Sequence, residues 1–187
     1  MEEKFLPSDE ALMHNLRDDQ LDCAAMLFER WNKRIYNFFL RLTANAAHSE
    51  DLTQLVFERI IRYRHSYQPG YAFKSWIFQI ARNQMADQHK QSAFYRDRFV
   101  SVEQLKENHI ETKTEIDLEK NDQYAQLQKA MLQLSDGYRE ILVLTRLQQL
   151  KYREVAEILG STEAAVKVKA HRALVQLRNI YFKIEEA

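Results

Sequence analysis

The chain has little that bends or cross-links it: 3 glycines, 2 prolines and 1 cysteine in 187 residues. So few turn formers exclude a many-stranded protein and favour long helices. The single thiol, Cys23, excludes an intrachain disulfide and a thiolate zinc cluster. The first twenty residues are acidic and hold no long apolar run, so neither a secretory signal nor a membrane span is expected there. The simplest location is the cytoplasm. There is no phosphate loop, no glycine-rich cofactor fingerprint and no Cys/His nucleophile arrangement. His14, His48, His65, His89, His109 and His171 show no metal-ligand spacing with one another. Paired carboxylates such as Asp18-Asp19 and Glu185-Glu186 lie in polar segments and are most simply solvated. An enzyme is not expected, and neither is a catalytic residue, a metal or a cofactor.

Formal net charge is zero, with 27 basic and 27 acidic residues, which argues against a nonspecific DNA coat. The zero is a sum of opposed patches. Acids dominate 1–22 and 103–122, whereas 82–98 and 167–183 are basic. Patches of this kind act on a nucleic acid within a Debye length of roughly 10 Å.

The last third is the most legible part. Tyr152, Val155, Ala156 and Leu159 fall three or four apart, giving a short helix one apolar side. Gly160 stops it, and Ser161 or Thr162 can cap the next helix. There Val166, Ala170, Ala173, Leu174 and Leu177 form a stripe for burial. Lys167, Lys169, His171 and Arg172 lie beside or opposite it. Helix, break and basic helix is the arrangement that places one helix in a DNA major groove. An ordinary amphipathic hairpin with a solvated basic face fits the same residues.

The first half reads as a helical bundle. Phe28, Trp31, Ile35, Phe38 and Leu42 recur at helical spacing and predict a helix over about 21–42. Ser49 followed by Glu50 and Asp51 reads as a helix start, with Leu52, Leu55, Val56 and Ile60 as its apolar side. A further helix runs from Phe73 to about Gln91. Between these two, aromatics crowd the Pro69-Gly70 break: Tyr63, Tyr67, Tyr71, Phe73, Trp76 and Phe78. Set beside Arg62, Arg64, Lys74 and Arg82, they are the ingredients of a platform where unpaired bases stack and phosphates pair. Core packing is the competing reading for Phe73, Trp76 and Ile77, while Tyr67 and Tyr71 flank a turn and are expected to be exposed. From Ser101 to Lys120 charges replace apolar residues, as in a linker.

Three stretches, SEDLTQLVFERI, FKSWIFQIARNQMADQHK and YREVAEILGSTEAAVKVKAHRAL, resemble in order and spacing the signature stretches of the extracytoplasmic-function sigma factors. These are bacterial RNA polymerase initiation subunits reduced to two helical domains on a tether. The resemblance spans about Asp9 to Tyr181. It implies an all-α fold of two small domains: a region 2 bundle at 9–98, a flexible acidic linker at 99–121 and a region 4 helix–turn–helix at 122–183.

The resemblance also implies roles. Asp51, Gln54, Phe57 and Glu58 match the motif that docks core RNA polymerase. Tyr67, Gln68, Tyr71, Lys74, Trp76, Asn83, Asp87 and Lys90 match the segment that meets the minus-ten element, partly as single strand. Glu163, Ala164, Lys167, Val168, Lys169, His171 and Arg172 match the helix that reads the duplex minus-thirty-five element. Implied partners are core polymerase, promoter DNA and an anti-sigma factor, with no direct membrane insertion by this chain. Three positions depart from the family pattern. Lys90 stands where arginine is frequent, Val168-Lys169 where Ser-Arg is common, and Gln149 where a glycine usually precedes the helix–turn–helix. Two other classes compete on the residues alone. One is a conventional helix–turn–helix regulator with a sensing or dimerising bundle, and the other is a helical interaction adaptor.

Overall fold

The computed structural model describes residues 7–98 and 118–185, with side chains described for 7–87 and 123–185. Every element among the described residues is helical. The chain divides into two compact units, Met1–Tyr36 with Glu50–Glu103 and Asn37–Ser49 with Gln104–Ala187. The linker read at 99–121 falls mostly on residues outside those described.

In the first unit, Ser8 opens α1 (Asp9–Arg17) by accepting the Ala11 N–H on its Oγ at 3.1 Å. Asp9 and Glu10 follow, where the positive end of the helix dipole favours acids. Leu12, Met13 and, a turn further on, Leu16 are buried. The turn after α1 contains Asp19 at φ +64°.

The long helix α2 (Asp22–Thr43) has its first part in this unit and its last turns, from Asn37, in the second. It buries Leu27, Trp31 and Ile35 in the first part and Phe38 and Phe39 in the second. Phe28, placed by its spacing on the apolar stripe, is instead 42% exposed. Its neighbour Leu27 takes the inward position, and the Phe28 ring meets Phe57 edge-on at the rim, 4.8 Å between centroids.

Helix α3 (Ala46–Arg62) starts three residues before the expected Ser49 cap. Asn45 Oδ1 accepts the His48 N–H at 2.9 Å, so asparagine, an equally good capping residue, takes that part. Ser49 is buried in the first turn and donates its hydroxyl to the Asn45 carbonyl at 2.6 Å. Leu52, Val56 and Ile60 are buried as the spacing predicts, and Leu55 is half-buried. A 3-10 turn at Arg64–Ser66 leads to the Tyr67–Ala72 loop, and α4 (Phe73–Arg98) follows. Phe73, Ile77, Phe78 and Ala81 of α4 are buried.

In the second unit, α5 (Leu118–Leu132) is followed by α6 (Asp136–Leu142) and a π-type turn at Val143–Leu147. Arg139 of α6 closes the end of α5: it donates to the carbonyls of Met131, Leu132 and Leu134 at 2.7–3.0 Å. The carbonyls of Met131 and Leu132, at the end of α5, have no partner inside that helix. Helices α7 (Tyr152–Leu159) and α8 (Glu163–Glu185) complete the unit, and α8 packs on α5, α6 and α7.

Candidate nucleic-acid interface

Three surfaces carry the residues singled out in the sequence. The first is the outer side of α3. Asp51 and Gln54 are exposed there, one turn apart. Glu58 is exposed and pairs with Arg62 at 2.6 Å. Phe57 does not share their exposure: at 8% it is buried beneath the patch, with Phe28 against it. Asp51, Gln54 and Glu58 thus form a polar ridge beside an exposed aromatic that periodicity alone assigns to the interior.

The second surface is the loop between α3 and α4. Tyr71 is 47% exposed, Tyr63 is 50% exposed and Gln68 is exposed, as a stacking platform needs. Tyr67 departs from its expected exposure, being 3% exposed. Its ring lies edge-on to Trp76 at 5.1 Å and to Phe73 at 6.4 Å, and its hydroxyl donates to the Tyr71 carbonyl. Burial pushes the Tyr67 phenol up to about 12, with the nearby carboxylates of Glu10 and Asp9 adding to the shift. The loop turns at Gly70, φ +87°, so the chain folds back over Tyr67 and covers it. Trp76 is half-buried within the same cluster, and Phe73 and Ile77 are fully buried, the core reading of these residues. Further along α4, Asn83 is exposed and Lys74 is half-buried. Asp87 accepts from Arg59 of α3 at 2.9 Å, which ties the two helices together. The side chain of Lys90 lies outside the described residues.

The third surface is the outer face of α8. Gly160 ends α7 in the left-handed conformation, φ +61° and ψ +42°, as its sequence role requires. Thr162 caps α8 by accepting the Ala165 N–H on Oγ1 at 3.2 Å. Val166, Ala170 and Ala173 are buried, while Leu174 and Leu177 are half-buried. Glu163, Ala164, Lys167, Val168, His171 and Arg172 are exposed on the other side. Lys167 pairs with Glu163 at 2.8 Å, and that bond raises the lysine's pKa. Lys169 alone of the expected set turns partly inward, its Nζ lying over Gly137 of α6. A Cβ at Gly137 would meet that ammonium at 2.8 Å. Gln149, before α7, has φ +53°, so the backbone keeps a left-handed residue where a glycine is absent.

The first helix, which follows Pro7, holds none of the residues that the family resemblance singles out. This helix and the turn after it make polar contacts with residues before, at and after the loop. Glu10 accepts the Phe73 N–H, Arg17 donates to the Tyr67 carbonyl, and Asp19 accepts two hydrogen bonds from Arg64. The Arg64 guanidinium holds the Asp19 carboxyl below the usual carboxylate range. A capped start at Ser8 and the Leu12, Met13, Leu16 spacing mark this helix in the sequence, but nothing local marks its partners.

The chain matches the family models Sigma-70 region 2 over residues 27–94 and Sigma-70, region 4 over 124–177. It is 30% identical over 177 residues to the RNA polymerase sigma factor CarQ of Myxococcus xanthus, covering 92% of this chain and 97% of that protein. It is also 30% identical over 159 residues to the ECF RNA polymerase sigma factor SigM of Bacillus subtilis, covering 83% and 93%. Among solved structures, the fold is similar to the sigma factor RpoE of Bartonella quintana, crystallised with the anti-sigma factor NepR. The TM-score is 0.69 at 22% identity, over 83% of this chain and 94% of that one. CnrH in complex with the cytosolic domain of CnrY gives a TM-score of 0.69 at 20% identity, over 92% and 96%.

Proposed function

We propose a division of labour for this chain, which belongs to the extracytoplasmic-function RNA polymerase sigma factors. It is an RNA polymerase sigma factor, directing promoter recognition, DNA melting and transcription initiation. One observation carries this: both sigma-70 regions match in family order, and a sigma factor is matched at 30% identity over 97% of its length. A ligand-sensing regulator or an adaptor would leave the region 2 match unexplained. The bond-making chemistry belongs to core polymerase, so the chain needs no catalytic group, metal or cofactor of its own. Such a subunit works in the cytoplasm, and no helix among the described residues is long and apolar enough to cross a membrane.

The exposed ridge of Asp51, Gln54 and Glu58, with Phe28 and Phe57 beside it, is the dock for core polymerase. The loop with Gln68 and Tyr71 takes the unpaired minus-ten strand, Lys74 and Asn83 extend the contact, and Lys90 continues it along α4. Tyr67 and Trp76 support that surface from below, and Asp87 acts through its pair with Arg59. Ala164, Val168, His171 and Arg172 read the duplex minus-thirty-five element. Lys167 joins them when Glu163 releases it, and Lys169 steadies α8 against α6. Val168 offers an apolar contact suited to a thymine methyl. The regulator is a separate anti-sigma factor that covers one of these faces. The anti-sigma complex of the similarly folded RpoE supports that reading.

Run-off transcription with core polymerase and genomic promoter fragments tests the whole. Transcripts that need this chain are expected; none from any fragment would overturn it. Replacing Asp51 and Gln54 with alanine should weaken core binding and leave the fold intact, because exposed polar positions rarely cost more than about 0.5 kcal/mol. Undiminished core affinity in the folded double variant would remove α3 as the dock.

A further inference from the structure

Asp9 and Glu10 are neighbours with different partners. Asp9 fastens α1 to α2: its two oxygens accept from Arg30 Nη1 and Trp31 Nε1, each at 2.9 Å. Glu10 reaches the other way and accepts the backbone N–H of Phe73 at 3.1 Å. Phe73 is the first residue of α4, so that N–H has no partner within its own helix, and a carboxylate there also meets the positive end of the dipole. Arg17 Nη1 donates to the Tyr67 carbonyl at 3.4 Å. Asp19 Oδ1 accepts from Arg64 Nε at 2.9 Å and Nη2 at 2.6 Å.

These ties fall on Arg64 in the 3-10 turn before the loop, on Tyr67 at its start and on Phe73 just after it. Between α1 and the loop lies a cleft of about 180 Å³ lined by Glu10, His14, Arg17, Tyr67, Pro69 and Gly70. At that cleft the two are not joined by a filled apolar seam, and the polar ties span it beside the buried Leu12, Met13 and Leu16. All three donating or accepting residues precede residue 27, where the region 2 match begins.

We propose that α1 and its following turn brace the unpaired-strand loop, with Glu10, Arg17 and Asp19 as positioning residues for promoter opening. The inference rests on the assignment of this loop to the minus-ten strand. A loop already held in its binding shape does not lose ordering entropy when the strand arrives. The brace converts fluctuating aromatics into a fixed platform without touching DNA itself.

The test uses the full chain in holoenzyme with core polymerase, on a promoter found by run-off transcription. The double variant Glu10→Ala, Asp19→Gly removes two ties, and glycine tolerates the left-handed backbone at residue 19. The paired control Glu10→Gln, Asp19→Asn keeps an acceptor oxygen at each position, and asparagine also tolerates that backbone. Opening is read by permanganate reactivity of unpaired thymines, and strand capture by affinity for a single-stranded minus-ten oligonucleotide. The first variant should lose roughly fivefold in both, the range expected for charged hydrogen bonds at a partly exposed site. Core affinity should hold, amide exchange across 64–73 should quicken, and the paired control should restore opening. Normal opening in the folded first variant overturns the brace. So does parallel loss of core binding, which marks general unfolding, and so does failure of the paired control to restore opening. Tyr71→Ala separates the two layers. If it is defective while the brace variant is normal, the loop assignment stands and the brace falls; if it too is silent, both fall.

Discussion

The α3–α4 loop and the α7–α8 corner are both turns between helices that expose side chains, yet they are built in different ways. The α7–α8 corner takes its stop and cap from nearby residues, with α8 packed on α5, α6 and α7. Gly160 supplies the left-handed stop, Thr162 the cap, and Val166, Ala170 and Ala173 the buried stripe, all within fourteen residues of one another. The α3–α4 loop is held by partners 45 to 63 residues away in sequence: Asp19 with Arg64, Arg17 with Tyr67, Glu10 with Phe73. A helix–turn–helix corner is stopped and capped by nearby residues, whereas the exposed loop is tied to a helix and turn far away in the sequence.

If that contrast is right, breaking the packing under the loop should cost most. Phe73→Ala removes a fully buried ring in contact with Trp31, Tyr67 and Trp76. A loss of about 3–5 kcal/mol is expected from urea unfolding followed by tryptophan fluorescence. A loss below about 1 kcal/mol, the size of a surface change, would show the cluster to be loosely packed.

The local corner should break more gently. Gly160→Ala forces a Cβ into φ +61°, which costs roughly 1–2 kcal/mol. The open space around that position means that the cost is backbone strain and not collision. Thermal unfolding should show it, with minus-thirty-five binding falling only as far as the folded fraction does.

Arg172→Ala acts on the face alone. Binding to minus-thirty-five duplex should weaken by roughly 1 kcal/mol, with a shallower salt dependence, and stability should be unchanged. An unchanged salt slope would mean that this exposed guanidinium does not meet a phosphate.

A smaller change sharpens the comparison from the other side. Gln149 sits at φ +53°, where a glycine is free of strain, so Gln149→Gly should stabilise the second unit by a few tenths of a kcal/mol once the added chain entropy is counted. Marked destabilisation would show that the glutamine side chain contributes more than the backbone gives up.

The last effect is silent at neutral pH. Tyr67 has its folded pKa raised from 10.0 to about 12, so its contribution is complete below pH 10 and is lost as pH rises through 12. Stability of the first unit should fall over that window, and Tyr67→Phe should flatten the fall. An absorbance titration in which every tyrosine ionises near pH 10 would contradict the burial of this phenol.

Much of the architecture was legible because helix burial repeats at a fixed period. Trp31, Ile35, Leu52, Val56, Ile60, Phe73, Ile77 and Val166 all lie where spacing puts them. Spacing cannot choose between adjacent apolar residues, so Leu27 went inward and Phe28 to the rim. Nor can it rank two good caps four residues apart, and Asn45 starts α3 instead of Ser49. The family to which the chain belongs was legible in three short stretches. Their order and spacing mark the family in a way that a single motif does not.

By itself, then, the sequence determined that the chain is helical, where most helices run, which face of α8 is basic and which protein family it belongs to. The helices and the basic face depend on residues close together along the chain, and the family on the order of three such stretches. Only the tertiary structure decided that Tyr67 lies under its loop while Tyr71 stays out, that Asp87 answers Arg59, and that Lys169 leans on α6. It alone decided that Glu10, Arg17 and Asp19 hold a loop some fifty residues downstream. The reason is physical: a hydrogen bond across that distance in sequence leaves no periodicity behind, because its geometry exists only once both partners have been packed into place.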